Sequence, residues 1–359
     1  MDSSYARSAQ LGQKSIGQDL EALLSVRRAD FEMLENAKIF LTGGTGFIGC
    51  WLLESLMHAN ETLSLGLSVT ILTRDPKRFY ARVPHLANYD AYKFLTGDVQ
   101  TFANDERDYS FVIHGATDAS AELNEVDPRK MFDTIVGGTR RVLDFAISQR
   151  SARVLYLSSG AVYGQQPWEM THVQESFNGA PNCSNPRNTY AEAKRAAEML
   201  CSIYGKQFGL HTATARIFAL LGPYLFLDIH FAAGNFIKDA LLGKSITVQG
   251  NGMPFRSYLY ASDLVSWLLR LMVKGEAGDT LNIGSDQGLS IKDLAKMISE
   301  VLGNGQISIL GETDIGWNLG RYVPDVSLAK NKLGLTRTVE LEEAILKTAA
   351  WNGWEKNKL

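Results

Sequence analysis

Short apolar runs alternate with longer amphipathic stretches along the first 220 residues of the chain. The apolar runs predict strands, and the stretches between several of them predict helices. The predicted strands are 38–42, 69–73, 92–96, 111–115, 153–158 and 212–217, and the predicted helices are 47–59, 129–149 and 189–208. Strands that alternate with helices form a parallel sheet with helices on both faces. The pattern therefore predicts an α/β fold on a doubly wound parallel sheet.

The pattern changes after about residue 220, where the predicted elements become shorter. Helices are predicted at 234–243, 261–273, 290–302 and 340–352, and strands at 246–249, 256–260, 280–283 and 306–310. These elements predict a smaller C-terminal α/β region over 221–359 that is mainly substrate-binding, with some segments returning to the main sheet.

A third region, residues 1–36, precedes the first predicted strand as an N-terminal helical extension. Within it, residues 18–35 have the apolar spacing of a helix. The apolar positions are Leu20, Leu23, Leu24, Phe31 and Leu34. The extension could fold over the site or contact a second subunit, and both alternatives stay open.

A glycine-rich turn, GGTGFIG over residues 43–49, connects the first predicted strand to the next helix. Between a strand and a helix, this glycine spacing indicates a dinucleotide-binding Rossmann fold. The first glycine permits a tight turn, the second lets backbone amides approach a pyrophosphate, and the third lets the helix pack on the strand. The helix N-terminus adds a positive dipole end. The sequence therefore predicts a Rossmann domain over 37–220, with cofactor contacts at Gly43, Gly46, Phe47, Ile48 and Gly49.

Tyr190 and Lys194 lie four residues apart on a predicted helix, so their side chains share one face. A phenol alone titrates near pH ~10 and is a poor base at neutral pH. A neighbouring ammonium stabilises the phenolate and lowers its pKa. This spacing occurs by chance in many helices, but after the glycine turn it indicates a proton acceptor for a substrate hydroxyl.

Composition restricts the class of protein further. The chain has 359 residues, 45% of them hydrophobic, and a net charge of −3 without a basic stripe, so no nucleic-acid partner is expected. The cysteines Cys50, Cys183 and Cys201 fit neither a metal site nor a disulfide framework. No apolar run reaches transmembrane length, and the N-terminus lacks a signal-peptide pattern. We therefore expect a cytoplasmic protein with no metal and no membrane partner.

Further motifs follow in an order that resembles the extended short-chain dehydrogenase/reductases, in their nucleotide-sugar epimerase/dehydratase branch. The resemblance covers about residues 37–350. Residues 97–99 resemble the motif whose acidic residue, here Asp98 before Val99, meets the adenine. Residues 112–116 resemble the fourth-strand motif, ending at Ala116, whose backbone lines the cofactor. Residues 157–164 (LSSGAVYG) resemble the motif that carries the catalytic hydroxyl, here Ser159.

The resemblance implies a catalytic triad of Ser159, Tyr190 and Lys194. Tyr190 would take the proton from a sugar hydroxyl at C4, while Lys194 holds the cofactor ribose and lowers the pKa of Tyr190. Ser159 would donate a hydrogen bond to the reacting oxygen. Arg256 is expected to hold the substrate diphosphate and Asn235 to contact it. The ordinary alternatives are a surface charge for Arg256 and a helix N-cap for Asn235.

The two positions after Ser159 bear on the reaction that follows the oxidation. In the resembling 4,6-dehydratases they carry an acid and a base, and in decarboxylases the second carries a Glu. This chain has Gly160 and Ala161, which cannot move a proton, so the sequence slightly favours a 4-epimerase. A dehydratase or decarboxylase with atypical acid/base residues, or an NADPH-dependent 4-ketoreductase, remains an alternative. Carboxylates that could substitute are Asp118, Glu122 and Glu175.

A second departure lies at residues 216–219, which resemble an Arg-x-Phe-Asn segment but end in Ala219. The Asn of that segment contacts the substrate in the resembling proteins. Either the diphosphate is held differently here or the substrate is unusual.

The choice of cofactor depends on the end of the second strand, which reads Thr73-Arg74-Asp75. An NAD site usually has an acidic residue there for the ribose 2′-OH. Thr73 takes that position and Arg74 could pair with a 2′-phosphate, which favours NADP slightly over NAD. Asp75 keeps NAD open, so the expected cofactor is NAD(P).

The resemblance also implies a nucleotide-sugar substrate and a homodimer formed through the helices near 129–149 and 189–208. The alternative from another class is a non-catalytic dinucleotide sensor. The intact triad argues against that alternative.

Overall fold

A computed structural model describes residues 3–104, 108–117, 121–149, 153–227, 232–303, 305–311 and 320–355, with side chains from Ile16 onward except at 121 and 122. The strands are β1 (Lys38–Thr42), β2 (Ser68–Thr73), β3 (Tyr92–Thr96), β4 (Phe111–His114), β5 (Arg153–Ser159), β6 (His211–Ile217), β7 (Leu220–Leu221), β8 (Ile246–Val248), β9 (Phe255–Arg256), β10 (Leu259–Tyr260), β11 (Thr280–Ile283), β12 (Leu289–Ser290), β13 (Ile307–Ile309) and β14 (Arg321–Tyr322). The α-helices are α1 (Ser3–Glu32), α2 (Phe47–Leu63), α3 (Pro76–Arg82), α4 (Pro84–Ala87), α5 (Ala121–Val126), α6 (Pro128–Ser148), α7 (Thr189–Phe208), α8 (Ala232–Leu241), α9 (Ala261–Lys274), α10 (Ile291–Leu302), α11 (Ser327–Leu333) and α12 (Leu341–Trp351).

The central sheet has seven parallel strands in the order β3-β2-β1-β4-β5-β6-β11. The strand order reverses between β1 and β4, and ligands of such sheets bind beyond the carboxyl ends of the strands at this point. The predicted Rossmann-type α/β fold is confirmed, with all six strands predicted before residue 220 in the sheet. Strand β11, from the C-terminal region, also joins it beside β6.

Each face of the sheet has its own apolar core. Helices α2 and α9 cover one face and α6 and α7 the other. Successive residues of a strand point to opposite faces. In β1, accordingly, Ile39 and Leu41 pack in the core under α2, whereas Phe40 packs in the core under α6.

The N-terminal extension forms a helix, α1, that packs against α9, α2 and α12. The apolar positions predicted on it are all buried. Polar contacts fix it to α9: Arg27 Nε donates to Ser266 Oγ at 2.7 Å, and the Arg270 guanidinium lies 2.8 Å from the Asp30 carboxylate. The extension therefore adds a further helix over the face of the sheet opposite α6 and α7.

The C-terminal region differs from the predicted elements at residues 256–260, and it also contains β12, β14 and α11, which were not predicted. The single strand predicted at 256–260 is two strands, because β9 pairs with β12 and β14 whereas β10 pairs with β7. The β9–β14 pair brings Arg256 opposite Tyr322. This pairing places a late segment of the chain beside the carboxyl end of β5.

Several short helices were not predicted, among them α3. Its start has recognisable signals, since Asp75 caps it and Pro76 is its first residue. Among the described residues, no helix has the length and apolar character needed to span a membrane.

Candidate active site

The glycine turn approaches two stretches of backbone closely. Gly43 has φ +76°, and a Cβ there would lie 2.6 Å from the carbonyl carbon of Gly115. A Cβ at Gly49 would lie 2.4 Å from the carbonyl carbon of Gly44. At Gly46, which caps α2, a Cβ would meet only one backbone oxygen, at 3.4 Å. The turn is therefore packed on two sides and open at Gly46, which fits a pyrophosphate beside the N-terminus of α2.

A hydrogen-bonded chain fixes the backbone after β4, where Ala116 is predicted to line the cofactor. The backbone N–H groups of Gly115 and Ala116 donate to Thr42 Oγ1 at 3.2 and 3.1 Å. The Thr42 hydroxyl then donates to His114 Nδ1 at 2.7 Å, and His114 Nε2–H donates to Thr139 Oγ1 at 3.0 Å. Burial, and to a lesser extent the charge of Lys194, lowers the pKa of His114 to about 3. His114 is thus neutral and holds this loop in place.

The residues predicted to choose between NAD and NADP lie at the carboxyl end of β2. Thr73 is buried and its Oγ1 accepts the N–H of Asp75 at 3.3 Å. One carboxylate oxygen of Asp75 accepts the N–H of Arg78 at 3.1 Å, as the cap of α3. Arg74 is exposed beside them.

The predicted adenine contact follows β3, the neighbouring strand. Asp98 accepts the N–H of Gln100 at 2.9 Å, and Val99 is buried against α6, where a Cβ on Gly138 would lie 2.7 Å from it. Since β2 and β3 are adjacent, the structure brings both predicted adenosine-side segments to one edge of the sheet.

The predicted triad comes together at the carboxyl end of β5. Ser159 ends that strand and caps the 3-10 helix Gly160–Tyr163, with Oγ accepting the N–H of Ala161 at 3.2 Å. Tyr190 lies in the first turn of α7, near enough to Ser159 for the serine hydroxyl to act on its pKa. Lys194 lies one turn further, buried, and its Nζ donates to the carbonyl of Leu157 at 2.8 Å.

The electrostatics of the pair differ from the expectation. Desolvation raises the pKa of Tyr190, although the Ser159 hydrogen bond acts to lower it. Burial lowers the pKa of Lys194 to about 8, with Glu198 acting to raise it. Lys194 Nζ lies 5.9 Å from the centre of the Tyr190 ring. Among the protein's own groups, the predicted lowering of the Tyr190 pKa is therefore wrong, because desolvation is the largest cause and raises it.

Glu198 is a component of the site that the sequence analysis missed. Its carboxylate forms an ion pair with Arg216 of β6 at 2.7 Å and accepts a hydrogen bond from Ser158 Oγ at 2.6 Å. It lies one helical turn after Lys194. The spacing Tyr190, Lys194, Glu198 places all three on one face of α7, which is a signal that the sequence contains.

The other side of Ser159 is aromatic. A Cβ on Gly160 would lie 2.6 to 2.8 Å from three ring atoms of Phe218. The Phe218 ring packs against that of Tyr322, with centroids 4.5 Å apart and the ring planes tilted by 38°. The Tyr322 hydroxyl lies 3.4 Å from Ser159 Oγ. Rings therefore occupy the space beside Gly160. The sequence does not point to Tyr322, because this residue lies 163 positions from Ser159.

The predicted substrate residues lie in the C-terminal region. The Arg256 guanidinium donates to the carbonyls of Phe255 at 2.8 Å and Gly320 at 3.1 Å, and lies 5.9 Å from the centre of the Tyr322 ring. Arg256 is thus connected to the triad through Tyr322. Asn235 is half-buried inside α8 rather than at its cap, and its contact with substrate stays a prediction.

Of the three carboxylates that could substitute as acid or base, the structure describes the side chain of Glu175. Glu175 accepts the N–H of Asn282 at 2.8 Å, and burial raises the pKa of its carboxyl. The backbone carbonyl of Glu175 accepts from Arg216 at 3.2 Å, so this residue belongs to the network around that arginine. Asp118 and the side chain of Glu122 lie outside the described residues.

Comparison with known proteins identifies the family of a chain that has this glycine turn and triad. The family model for the NAD dependent epimerase/dehydratase family matches residues 39–284. The chain belongs to this family. A curated relative, UDP-glucuronic acid decarboxylase 1 of Xenopus tropicalis, is 33% identical over 315 residues, which are 88% of this chain and 72% of the relative. The protein is therefore an enzyme of the NAD-dependent epimerase/dehydratase family.

Solved structures of other family members share the fold. The dTDP-glucose 4,6-dehydratase of Bacillus anthracis in complex with NAD has a TM-score of 0.74 and 23% identity, over 90% of this chain and 97% of that one. The UDP-glucuronic acid 4-epimerase of Bacillus cereus, in complex with UDP-glucuronic acid and NAD, has a TM-score of 0.74 and 22% identity, over 88% and 98%. Three different reactions occur among these similar proteins, so the fold alone does not select one.

Proposed function

We propose that this enzyme oxidises the C4 hydroxyl of a nucleotide sugar to a ketone and then reduces it again at the same carbon, as a 4-epimerase. The observation that carries the proposal is the arrangement around Ser159. Tyr190 and Lys194 lie on one side of it, and the Phe218 ring fills the space beside Gly160 on the other. Residues 221–359, with Arg256 and Asn235, would hold the nucleotide diphosphate.

The chain's own residues would handle the proton and the developing charge. When bound, the nicotinamide accepts a hydride from the sugar and returns it. Tyr190 takes the proton from the C4 hydroxyl and later gives it back. Ser159 donates a hydrogen bond to the C4 oxygen, on which charge develops. Lys194, which is buried one turn after Tyr190, supplies positive charge and would hold the ribose of the cofactor.

Elimination of water needs an acid and a base beside the ketone. Gly160 and Ala161 offer neither, and the Phe218 ring would have to move to admit a side chain at residue 160. Epimerisation requires no such pair, because the keto sugar only has to present its other face. This difference supports epimerisation over 4,6-dehydration.

The second candidate is decarboxylation of UDP-glucuronic acid, which is favoured by the relative that is 33% identical. Once C4 of a glucuronic acid is a ketone, the carboxylate on C5 is that of a β-keto acid. Its loss as CO₂ leaves the electron pair as an enolate on the C4 oxygen. Ser159 and Tyr190 could stabilise that oxygen, so this reaction also proceeds without an acid or base at residues 160 and 161.

Product analysis separates the candidates. The purified enzyme is incubated with a panel of UDP-, CDP-, GDP- and dTDP-sugars that includes UDP-glucuronic acid. We expect a product of unchanged mass with altered NMR couplings at C4. Loss of CO₂ from UDP-glucuronic acid would establish the second candidate instead, and loss of water would refute the proposed role of Gly160.

The cofactor preference is proposed from the end of β2. One oxygen of the Asp75 carboxylate is used as a helix cap, and the cation Arg74 is exposed at the end of β2. These features support NADP over NAD in an enzyme of an NAD-dependent family. Cofactor released from the denatured protein and identified by mass tests this preference, and release of NAD alone would overturn it.

We also propose that the enzyme acts in the cytoplasm as a homodimer through α6 and α7. These helices pack together and expose large apolar side chains at Phe132, Met199 and Ile203. Met199 and Ile203 share one face of α7. Light scattering of the purified protein would show a dimer, and a monomer at micromolar concentration would refute it.

A further inference from the structure

One side chain at the reaction centre has no part in the mechanism above, although it is close to Ser159. Tyr322 lies on β14, opposite Arg256 of β9, and its ring packs on Phe218. Its hydroxyl is 3.4 Å from Ser159 Oγ and 3.4 Å from the carbonyl oxygen of Ile217. Tyr322 therefore holds a phenol beside the serine of the predicted triad.

Both contacts of the Tyr322 hydroxyl lie at the long end of the hydrogen-bond range. O–H···O bonds in proteins are usually near 2.7–2.8 Å, and they weaken as the distance grows. The hydroxyl can therefore donate to a better acceptor if one arrives. Burial raises the pKa of Tyr322, so the phenol stays protonated and acts as a donor.

The surroundings hold the Tyr322 ring in this orientation. The Phe218 ring supports one face at 4.5 Å, and the Arg256 guanidinium lies 5.9 Å from the ring centre. Pairing of β14 with β9 fixes the backbone. The donor is thus held in place before substrate binds, and a donor that is held in advance stabilises developing charge most effectively.

We propose that Tyr322 is a further catalytic residue, whose phenol donates a hydrogen bond to the C4 oxygen of the sugar together with Ser159. The inference rests on the proposed function, since it assumes that the C4 oxygen lies between Ser159 and Tyr190. No proton leaves Tyr322. Tyr190 remains the group that gains and loses the proton, and Tyr322 supplies the second fixed donor for the negative charge.

A Tyr322→Phe variant tests the proposal, because it keeps the ring that packs on Phe218 and removes only the hydroxyl. We expect kcat to fall by about 10²-fold, as for the loss of one donor to a developing oxyanion. KM should change by less than about threefold, since the hydrogen bond strengthens only as charge develops. Bound cofactor and Tm should stay close to those of the wild type.

The matched control is Tyr89→Phe, which removes a phenol hydroxyl bonded to Asn60 near β3, at the opposite end of the sheet from β6. It should leave kcat within about twofold. If Tyr322→Phe retains the wild-type kcat while the wild type converts a nucleotide sugar, the proposal is overturned and the proposed function stands.

The outcomes for the two proposals can be told apart. If the wild type converts no sugar of the panel, the proposed function itself has failed. If the wild type converts a sugar and Tyr322→Phe does so with an unchanged kcat, only the role of Tyr322 is overturned.

Discussion

The two sides of Ser159 are built in different ways. The base side consists of Tyr190, Lys194 and Glu198, which one helix presents at successive turns. The aromatic side consists of Gly160, Phe218 and Tyr322, which come from the end of β5, the end of β6 and β14. The chemistry shared by the family can be read from a local motif. We propose that the aromatic side favours one of the family's reactions. A motif search finds its Gly160 but not the rings of Phe218 and Tyr322, which come from distant segments.

Replacement of the base should have the largest effect. Tyr190→Phe removes the proton acceptor and keeps the ring, so kcat should fall by about 10³-fold or more while cofactor stays bound. The rate of conversion of the identified sugar measures the loss of kcat. The amount of cofactor bound to the purified variant shows whether cofactor binding is retained. The comparison predicts a smaller loss for Tyr322→Phe, which removes a donor only. Equal losses in the two variants would contradict the division of roles.

The ion pair behind the base should contribute mainly to stability. Glu198→Gln leaves the largely buried charge of Arg216 without its partner, so the free energy of unfolding should fall by about 2–3 kcal/mol. Urea denaturation measures this change. Glu192→Gln is the matched control on the same helix, because its pair with Arg195 is more exposed and longer at 3.5 Å. It should change stability by less than about 0.5 kcal/mol. If both variants lose a similar amount of unfolding free energy, the Glu198–Arg216 ion pair stabilises the protein no more than an exposed pair does.

The aromatic side should resist any side chain at residue 160. Gly160→Ala places a methyl group within 2.8 Å of the Phe218 ring, and such overpacking destabilises by about 1–3 kcal/mol. Combining it with Phe218→Leu should be less destabilising than the sum of the single changes, because the smaller side chain makes room.

Gly17→Ala serves as the control for that substitution. A Cβ there meets no atom within 4 Å, and the residue lies in α1. This change should stabilise the protein by about 0.5–1 kcal/mol. If Gly160→Ala were as well tolerated, the ring would not be what excludes a catalytic side chain from that position.

A dependence of stability on pH originates beneath the base side, and it amounts to about 1 kcal/mol per pH unit. The pKa of His114 is about 3 in the folded protein and near 6.5 in an unfolded chain. Because the folded pKa is lower, the unfolded state binds the extra proton, and stability present above pH ~6.5 is lost as pH falls toward ~3.

Comparison with His114→Asn tests this source of acid sensitivity. Between pH ~6 and ~4, the wild type should lose about 1 kcal/mol more per pH unit than the variant, as expected for one proton. Asn can still accept from Thr42 and donate to Thr139. If the free energy of unfolding falls equally with pH in the two proteins, a group other than His114 causes the acid sensitivity.

The elements of the Rossmann half could be predicted because their patterns are local. Apolar runs such as 38–42 and 69–73 form strands within one residue of their predicted bounds. The end of β9 and the start of β10 could not be separated, because their different partners are chosen by long-range pairing. The direction of the Tyr190 pKa shift was wrong for a related reason, since desolvation depends on what packs around the phenol.

By itself, the sequence determined the family, the sheet and the positions of Ser159, Tyr190 and Lys194 on their elements. These features depend on the spacing of residues within one strand and its turn, or within one helix. That spacing is visible in the sequence itself. Only the tertiary structure decided that Phe218 covers Gly160 and that Tyr322 reaches Ser159. Those contacts depend on how β6 ends and on β14 pairing with β9, and pairing between segments so far apart leaves no local trace in the sequence.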